Sequence, residues 1–411
     1  MKKNIPFFSI ERQYTQNKKT FLKALTNVLD SQNFIGGTFV QKFETNFSSY
    51  VKSKYAISCN SGTDALWLAL KALNLQKNSI VLTTPFSFIA SSSEIVAHKA
   101  HPVFIDIDET TFNIDPQKIE IWIKKEAEFI NSQEKLIHKK TGFPVAGILF
   151  VDIFGQCTNY KAIKEISNKY NLWLIEDACQ AVGAQTNDGK SAGTLANISC
   201  FSFYPTKNLG AFGDGGCCTT NNKYLAEQMI QLRNHGRKSH YNYIQHGINS
   251  RLDGIQAAIL DKKLKLLDHF NDQRINIAQT YNQQLKGIDF IKTPKTINGK
   301  HVYHQYCIQL TNQILRDQLI QELSNHKINT NIYYPKTLDQ IDFLNTHPQL
   351  KNVCPIAQNL TKTTLALPIW PELEKEEVEY ICQKIKEVAQ KLQISTVYFQ
   401  KTNSCKGKIN E

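Results

Sequence analysis

The stretch SCFSFYPTKNLGAFGDGG, Ser199 to Gly216, changes character at Pro205. An apolar, aromatic run that reads as a buried strand gives way to one lysine, Lys207, and then to a loop with four glycines. A solvated lysine needs no aromatic neighbours, and the G-x-x-x-x-G-K-[ST] frame of a phosphate-loop lysine is missing from this chain. The glycine-rich loop leads into the strand-like CCTTN rather than a helix, so the context of a dinucleotide fingerprint is missing too.

Outward from this stretch, short β-rich runs alternate with helical patterns: YAISC then TDALWLALKAL, SIVLTT then SFIASSSEIVAHK, VAGILFVDI then YKAIKEISNKY, and LWLIED. Fully apolar strands followed by amphipathic helices predict an α/β domain with a mostly parallel sheet covered on both faces. Residues 117–140 are heavily charged and helical in pattern, an exposed excursion before the next buried strand. Beyond residue 250 come long helical stretches, strands near YHQYCIQL and INTNIYYP, and a last helix EKEEVEYICQKIKEVAQKL. The pattern divides the chain into a large domain, residues 1–250, a smaller α+β domain, 251–394, and an aperiodic tail, 395–411, read as disordered.

Composition narrows the class. The chain has 411 residues, 41% hydrophobic and 20% charged, the balance of a soluble globular protein with a sizeable core. No apolar run is long enough to span a membrane, and the lysine-led start lacks a signal peptide's apolar stretch and cleavage site, so a cytoplasmic protein is expected. Ten cysteines, without zinc or disulfide spacing, suit a reducing compartment. The net charge of +12 comes from lysines spread along the chain, which argues against a nucleic-acid partner.

Four features of different chemistry lie at strand ends. In NSGTDAL, a strand turns through Gly62 and Thr63 into a helix whose first N–H groups suit a phosphate, or are simply capped. In WLIEDACQAVGA, Asp177 and Gln180 follow an apolar strand, where carboxylates face the crevice of open α/β sheets or cap the next helix. Phe88 ends another strand, as a core residue or an exposed ring. Lys207 is the fourth. Pyridoxal 5'-phosphate (PLP) uses all of them: an anion cradle, an acid for its pyridine nitrogen, a ring to stack on, and an amine for its aldehyde. Apolar surroundings lower a lysine's pKa and make it a better nucleophile.

The segments NFIGGTFVQKFE, VDIFGQCTNY, IEDACQAVGA, SFYPTKNLGAFGDGG, LRNHG, GINSRLDGIQAAIL and LPIWPEL resemble, in order, the sugar aminotransferases of the DegT/DnrJ/EryC1/StrS family. The resemblance implies the fold type I PLP-dependent transferase fold, similar to aspartate aminotransferase, and a homodimer with shared active sites. It implies a reaction that carries an amino group, from glutamate, to a nucleotide-linked keto sugar; UDP and dTDP sugars both fit. Carried over, it makes Lys207 the lysine bonded to the cofactor and the proton shuttle, with Asp177 on the pyridine nitrogen and Gln180 on the ring hydroxyl side. Phe88 would stack on the ring, and Ser202, Gly62 and Thr63 would hold the phosphate. Asn249 would reach the phosphate from the partner subunit, with Arg251 beside it facing the sugar nucleotide. Tyr333 and Tyr334 stand where many members have His-Tyr, on the substrate side.

Other readings compete. Family members that dehydrate sugars replace the lysine with histidine, and this chain keeps lysine. A PLP-binding regulatory or sensor protein could retain every motif. Asp106 and Asp108 form the D-x-D of metal-dependent glycosyltransferases, although the reading favoured here holds no metal. His301 and His304 in HVYH have metal-like spacing but no third ligand nearby in sequence, and read as structural.

Overall fold

A computed structural model describes the backbone of residues 4–406 and the side chains as far as Lys391. Two helices, α1 (Glu11–Ser31) and α2 (Gly37–Val51), precede strand β1 (Tyr55–Cys59). There follow α3 (Gly62–Ala72), β2 (Ile80–Thr83), α4 (Ala90–Ala97), β3 (His101–Phe104) and α5 (Pro116–Glu126). The chain continues through β4 (Ala127–Ile130), β5 (Lys135–His138), β6 (Pro144–Val151), α6 (Tyr160–Tyr170), β7 (Trp173–Asp177), β8 (Ile198–Ser202), β9 (Gly216–Thr220) and α7 (Lys223–Leu232). A small hairpin, β10 (Arg237–Ser239) and β11 (Asn242–Tyr243), leads to α8 (Gly254–Leu264), α9 (Leu267–Gln284), β12 (Ile291–Lys292) and β13 (Tyr306–Leu310). The last elements are α10 (Gln313–Asn325), α11 (Pro355–Thr363), β14 (Thr364–Leu367) and α12 (Lys375–Lys406). Side-chain caps set several starts: Asp115, Asn159, Asn222 and Asn312 each accept an N–H from the first turn of the helix they precede.

The main sheet has the order β1-β9-β8-β7-β6-β2-β3, with the β4–β5 hairpin attached to β6. Parallel pairs join β3, β2, β6, β7 and β8, while β9 runs antiparallel to both β8 and β1. The reversal has a local cause. After β8 the chain returns directly to β9, pinned by the Phe203 N–H on the Gly215 carbonyl and the Ala211 N–H on the Phe203 carbonyl, each at 2.7 Å. No crossover helix intervenes, so the two strands must be antiparallel.

Apolar residues fill both sides of the sheet. On one face Phe43 and Phe47 of α2, Ile163 and Ile166 of α6, and Leu260 and Leu264 of α8 pack together; on the other, Leu66 of α3, Ile95 of α4 and Met229 of α7. Of the aromatics before Lys207, Phe201 and Phe203 belong to the first face, while Tyr204 is exposed. Phe201 and Phe203 meet Phe47 edge-on at centroid distances of 5.0 and 5.3 Å, each such pair contributing roughly 0.5–1.5 kcal/mol beyond burial. Their function is thus to fasten β8 to α2, which fixes where the lysine loop begins. A second core forms where the antiparallel sheet β12-β13-β14 packs Ile308 and Leu365 against Tyr281 of α9, Leu323 of α10 and Ile385 of α12. By packing, α8 goes with the first core.

Three segments depart from expectation. Residues 117–140 are helical only as far as Glu126; Ala127–His138 fold into the β4–β5 hairpin, paired from Ala127↔His138 to Ile130↔Lys135. The cause is tertiary: Leu136 pairs with Val145 of β6 and is buried in the core, which an exposed helix would not allow. Around INTNIYYP no strand forms, only isolated bridges from Ile328 to Ile5 and from Asn331 to Ala366. Helix α12 runs to Lys406, into the stretch read as a tail, and residues 407–411 lie outside the described residues. No helix among the described residues is long and apolar enough to cross a membrane.

Candidate active site

The carboxyl ends of β1, β7 and β8 and the start of β9 meet on one side of the sheet, where open α/β sheets bind ligands. A cleft of about 500 Å³ opens there. Gly62, Thr63, Phe88, Asp177 and Gln180 line it, and so do Ser202, Lys207, Tyr333 and Tyr334. The structure therefore brings together nine residues singled out in five separate parts of the sequence.

The anion end is built around α3. Ser61 Oγ accepts the Asp64 N–H at 3.1 Å, which caps the helix and leaves the earlier N–H groups of Gly62 and Thr63 for a ligand. Gly62 cannot carry a side chain: a Cβ would lie 2.7 Å from Ser202 Cβ and 3.0 Å from Cys179 Sγ. Gly216 meets the same limit against the Ser61 carbonyl. The close approach of backbone to backbone explains both glycines, and it sets Ser202 beside the helix start.

Asp177 ends β7. Residues 178–183 form turns, so no helix follows for it to cap; its Oδ1 accepts the Cys179 N–H, at 3.1 Å. Burial pushes its carboxyl pKa up, against the hydrogen bonds from Cys179 and the charge of Lys207. Lys207 follows the turn closed by its own N–H on the Tyr204 carbonyl, at 2.8 Å. Burial pushes its amine down, opposed by Cys179 and Asp177. For both groups burial outweighs their mutual attraction, and they face one cleft without an ion pair between them. Gln180 is held from both ends: Oε1 takes the Phe154 N–H at 2.8 Å, and Nε2 donates to Tyr334 Oη at 3.0 Å. Phe88, 59% exposed, presents its ring at the mouth.

This donor set fits PLP. A buried carboxylate, a buried amine biased toward its neutral form, and a helix start with no room for a Cβ answer the ring nitrogen, the aldehyde and the phosphate in turn.

Asn249 and Arg251 do not line the cleft of their own chain. Asn249 is exposed and bridges to Asn234; between the two, buried Ser250 accepts the Asn60 N–H at 3.1 Å and donates to Asp64 Oδ2 at 2.6 Å. The arm that carries them is thus tied to the anion end of the same chain. Sequence reasoning passed over Ser250, although its place between them was the signal. Lys263 of α8 also escaped it: its Nζ donates to the Gly210 carbonyl at 2.8 Å and sits 4.3 Å from the Phe212 ring centroid, supporting the lysine loop from below. Burial pushes this amine down to about 8.

The D-x-D reading fails. Asp106 accepts the N–H groups of Ile356 and Ala357, both at 3.0 Å, at the start of α11, and Lys118 stands 3.5 Å away. Asp108 Oδ1 takes the N–H groups of Thr110 and Thr111 at 3.0 and 2.8 Å. The two carboxylates serve a helix cap and a turn, so a metal-dependent glycosyltransferase site at Asp106 and Asp108 is excluded. Among the described residues no cluster of three His, Cys, Asp or Glu could hold a metal ion. His301 accepts the Tyr303 N–H at 3.0 Å and is structural, whereas His304 lines the cleft.

Comparison with known proteins agrees with this geometry. A relative in Geobacillus stearothermophilus, named a pleiotropic regulatory protein, is 38% identical over 387 residues, 93% of this chain and 98% of the relative. A dTDP-3-amino-3,6-dideoxy-alpha-D-galactopyranose transaminase of Aneurinibacillus thermoaerophilus is 37% identical over 93% of this chain and 98% of its own. The crystal structure of NtdA from Bacillus subtilis with bound cofactor PMP superposes with a TM-score of 0.82 at 28% identity, over 94% of this chain and 85% of that one. The model of one family matches residues 15–386, and on that match this chain belongs to the DegT/DnrJ/EryC1/StrS aminotransferase family.

Proposed function

We propose that this PLP-dependent aminotransferase moves an amino group from glutamate to a keto sugar carried by a nucleoside diphosphate, in amino-sugar or surface-polysaccharide synthesis. The observation that carries the reading is the convergence of Lys207, Asp177 and the α3 start in one cleft. Free thiols at all nine described cysteines support work in the reducing cytoplasm. Bound there, PLP supplies an aldehyde that takes up the amino group and a ring that draws electrons from the carbon losing its proton. Lys207, biased toward the neutral amine by burial, would hold the cofactor through its aldehyde and move the proton at the substrate carbon. Asp177 keeps a proton on the ring nitrogen. Gly62, Thr63 and Ser202 bind the phosphate, Phe88 covers a ring face, and Gln180, anchored by Phe154 and Tyr334, orients the ring hydroxyl. Tyr333 and Tyr334 face the sugar.

Added to the PLP-loaded protein, glutamate is expected to yield one equivalent of 2-oxoglutarate per site and leave the cofactor as pyridoxamine phosphate. Absence of 2-oxoglutarate while cofactor stays bound would remove glutamate as donor. A sensing role is the second reading, favoured by the regulatory name of one close relative.

The working unit in this proposal is a homodimer in which Asn249 and Arg251 complete the partner's site. Ile35 bridges to Asp253, two residues from Arg251, and with Phe34 exposes apolar surface beside the arm, which supports a covering partner. Two-fold assembly makes each crossing residue serve the opposite site. Mixing Lys207→Ala with Arg251→Ala subunits, each inactive alone, should restore up to roughly a quarter to a half of the wild-type rate. If subunit exchange is demonstrated and activity does not return, Arg251 acts within its own chain.

A further inference from the structure

Gln305 stands in the wall of the cleft just before β13, 8% exposed, and has no part in the reading above. Its backbone N–H reaches the Phe154 carbonyl at 3.4 Å, and the N–H of that same Phe154 holds Gln180. Gln305 therefore belongs to the deep wall, beside the group that orients the ring, and not to the mouth. The direction of its side-chain amide is set by hydrogen bonds that begin in the core. The Asn208 nitrogen donates to the Val302 carbonyl at 3.0 Å and to Asn271 Oδ1 at 2.8 Å, and the Asn271 nitrogen donates to the Val182 carbonyl at 3.1 Å. Asn208 Oδ1 can only accept, so His304 Nδ1, 3.2 Å from it, carries the ring proton and His304 Nε2 is a bare lone pair. A second proton on that ring is opposed by burial first, then by the charges of Lys207 and Arg274. The Gln305 nitrogen faces this lone pair at 3.5 Å, too long for a strong bond yet enough to decide the amide's direction, since the opposite flip would set oxygen against lone pair. Gln305 Oε1 is thereby turned away from His304, and it meets no donor among the described residues.

We propose that Gln305 is a specificity-determining residue for the keto-sugar half of the reaction, its Oε1 accepting a hydrogen bond from a hydroxyl of the sugar ring. A buried acceptor left open on a cleft wall is costly unless a ligand or water fills it, and the two substrates differ in what they bring. Glutamate, once its amino nitrogen is committed to the cofactor, presents two carboxylates, which accept and do not donate. A keto sugar keeps hydroxyls, which donate. The same oxygen therefore favours the sugar and gives glutamate nothing, which is how one cleft can tell two unlike substrates apart. The inference rests on the proposed function, in which a keto sugar is the amino acceptor.

Two measurements on the full chain test it. In cofactor-free protein labelled with 15N-histidine, with His304 assigned by the loss of its signals in His304→Gln, Nδ1 should be protonated and Nε2 bare. A protonated Nε2 would draw the Gln305 oxygen toward itself and overturns the proposal, whether or not any variant at Gln305 folds. The second measurement follows each half of the reaction alone: glutamate with the PLP form, and, with the pyridoxamine-phosphate form, whichever of a panel of UDP- and dTDP-linked keto sugars the wild type aminates. Gln305→Leu, similar in size and without polar atoms, should lose roughly tenfold more rate with the sugar than with glutamate, the effect of one hydrogen bond. Gln305→Glu, protonated beside the His304 lone pair, keeps one donor and one acceptor and should recover most of the sugar rate. Equal losses in both halves, or none, in a Gln305→Leu protein that unfolds at the wild-type midpoint would reduce Gln305 to a structural residue. A loss confined to glutamate would overturn the proposal in another way, by assigning the amide N–H to a carboxylate. A wild-type protein that aminates none of the sugars would instead sink the proposed function.

Discussion

Lys207→Ala is expected to leave a folded protein that binds PLP without a covalent bond and shows no amino transfer above background. The loss should be complete because one nitrogen does two tasks, linking to the aldehyde and moving the substrate proton, and no second amine lines the cleft. The fold should survive, since Lys207 makes no side-chain hydrogen bond among the described residues and its loop is held by main-chain bonds and by Lys263 beneath Gly210. Borohydride reduction followed by peptide mapping checks the site. In the wild type the reduced cofactor should map to Lys207 and in the variant to no residue; a label on any other lysine would refute the assignment.

Asp177→Asn should separate binding from chemistry. The amide keeps the size of the carboxylate and can still accept the Cys179 N–H, so PLP remains bound through the α3 start. The charge-assisted bond to the ring nitrogen is lost, and with it the electron withdrawal that stabilises the deprotonated carbon. Turnover should fall about a hundredfold or more, the effect of losing roughly 3 kcal/mol from a hydrogen bond to a charged group. A single-turnover experiment with α-deuterated glutamate locates the loss in the proton-transfer step. Near-normal turnover would mean that the carboxylate serves only its local turn.

The alternation of apolar runs with helical patterns was enough to read the large sheet, because parallel strands buried on both faces have no other explanation. Site residues at strand ends were legible for a related reason: β7 and β8 are mostly apolar, and Asp177 and Ser202 stand where they stop. What stayed hidden depends on distant partners. The β4–β5 hairpin exists because Leu136 reaches Val145, and charge along the segment masks that pairing. Phe201 and Phe203 looked like the lysine's surroundings, yet they face α2. Asp106 finds its use 250 residues away at the start of α11, and Asn208, His304 and Ser250 act through hydrogen bonds that no local pattern announces.

The central claim is tested most directly by giving the pyridoxamine-phosphate form of the protein a panel of UDP- and dTDP-linked keto sugars and identifying the nucleotide product by mass spectrometry. The account predicts that one of these sugars gains an amino group, one per site, as the cofactor returns to PLP bound at Lys207. Cofactor that stays bound as pyridoxamine phosphate with every keto sugar offered would contradict it, and would leave the sensing role in its place.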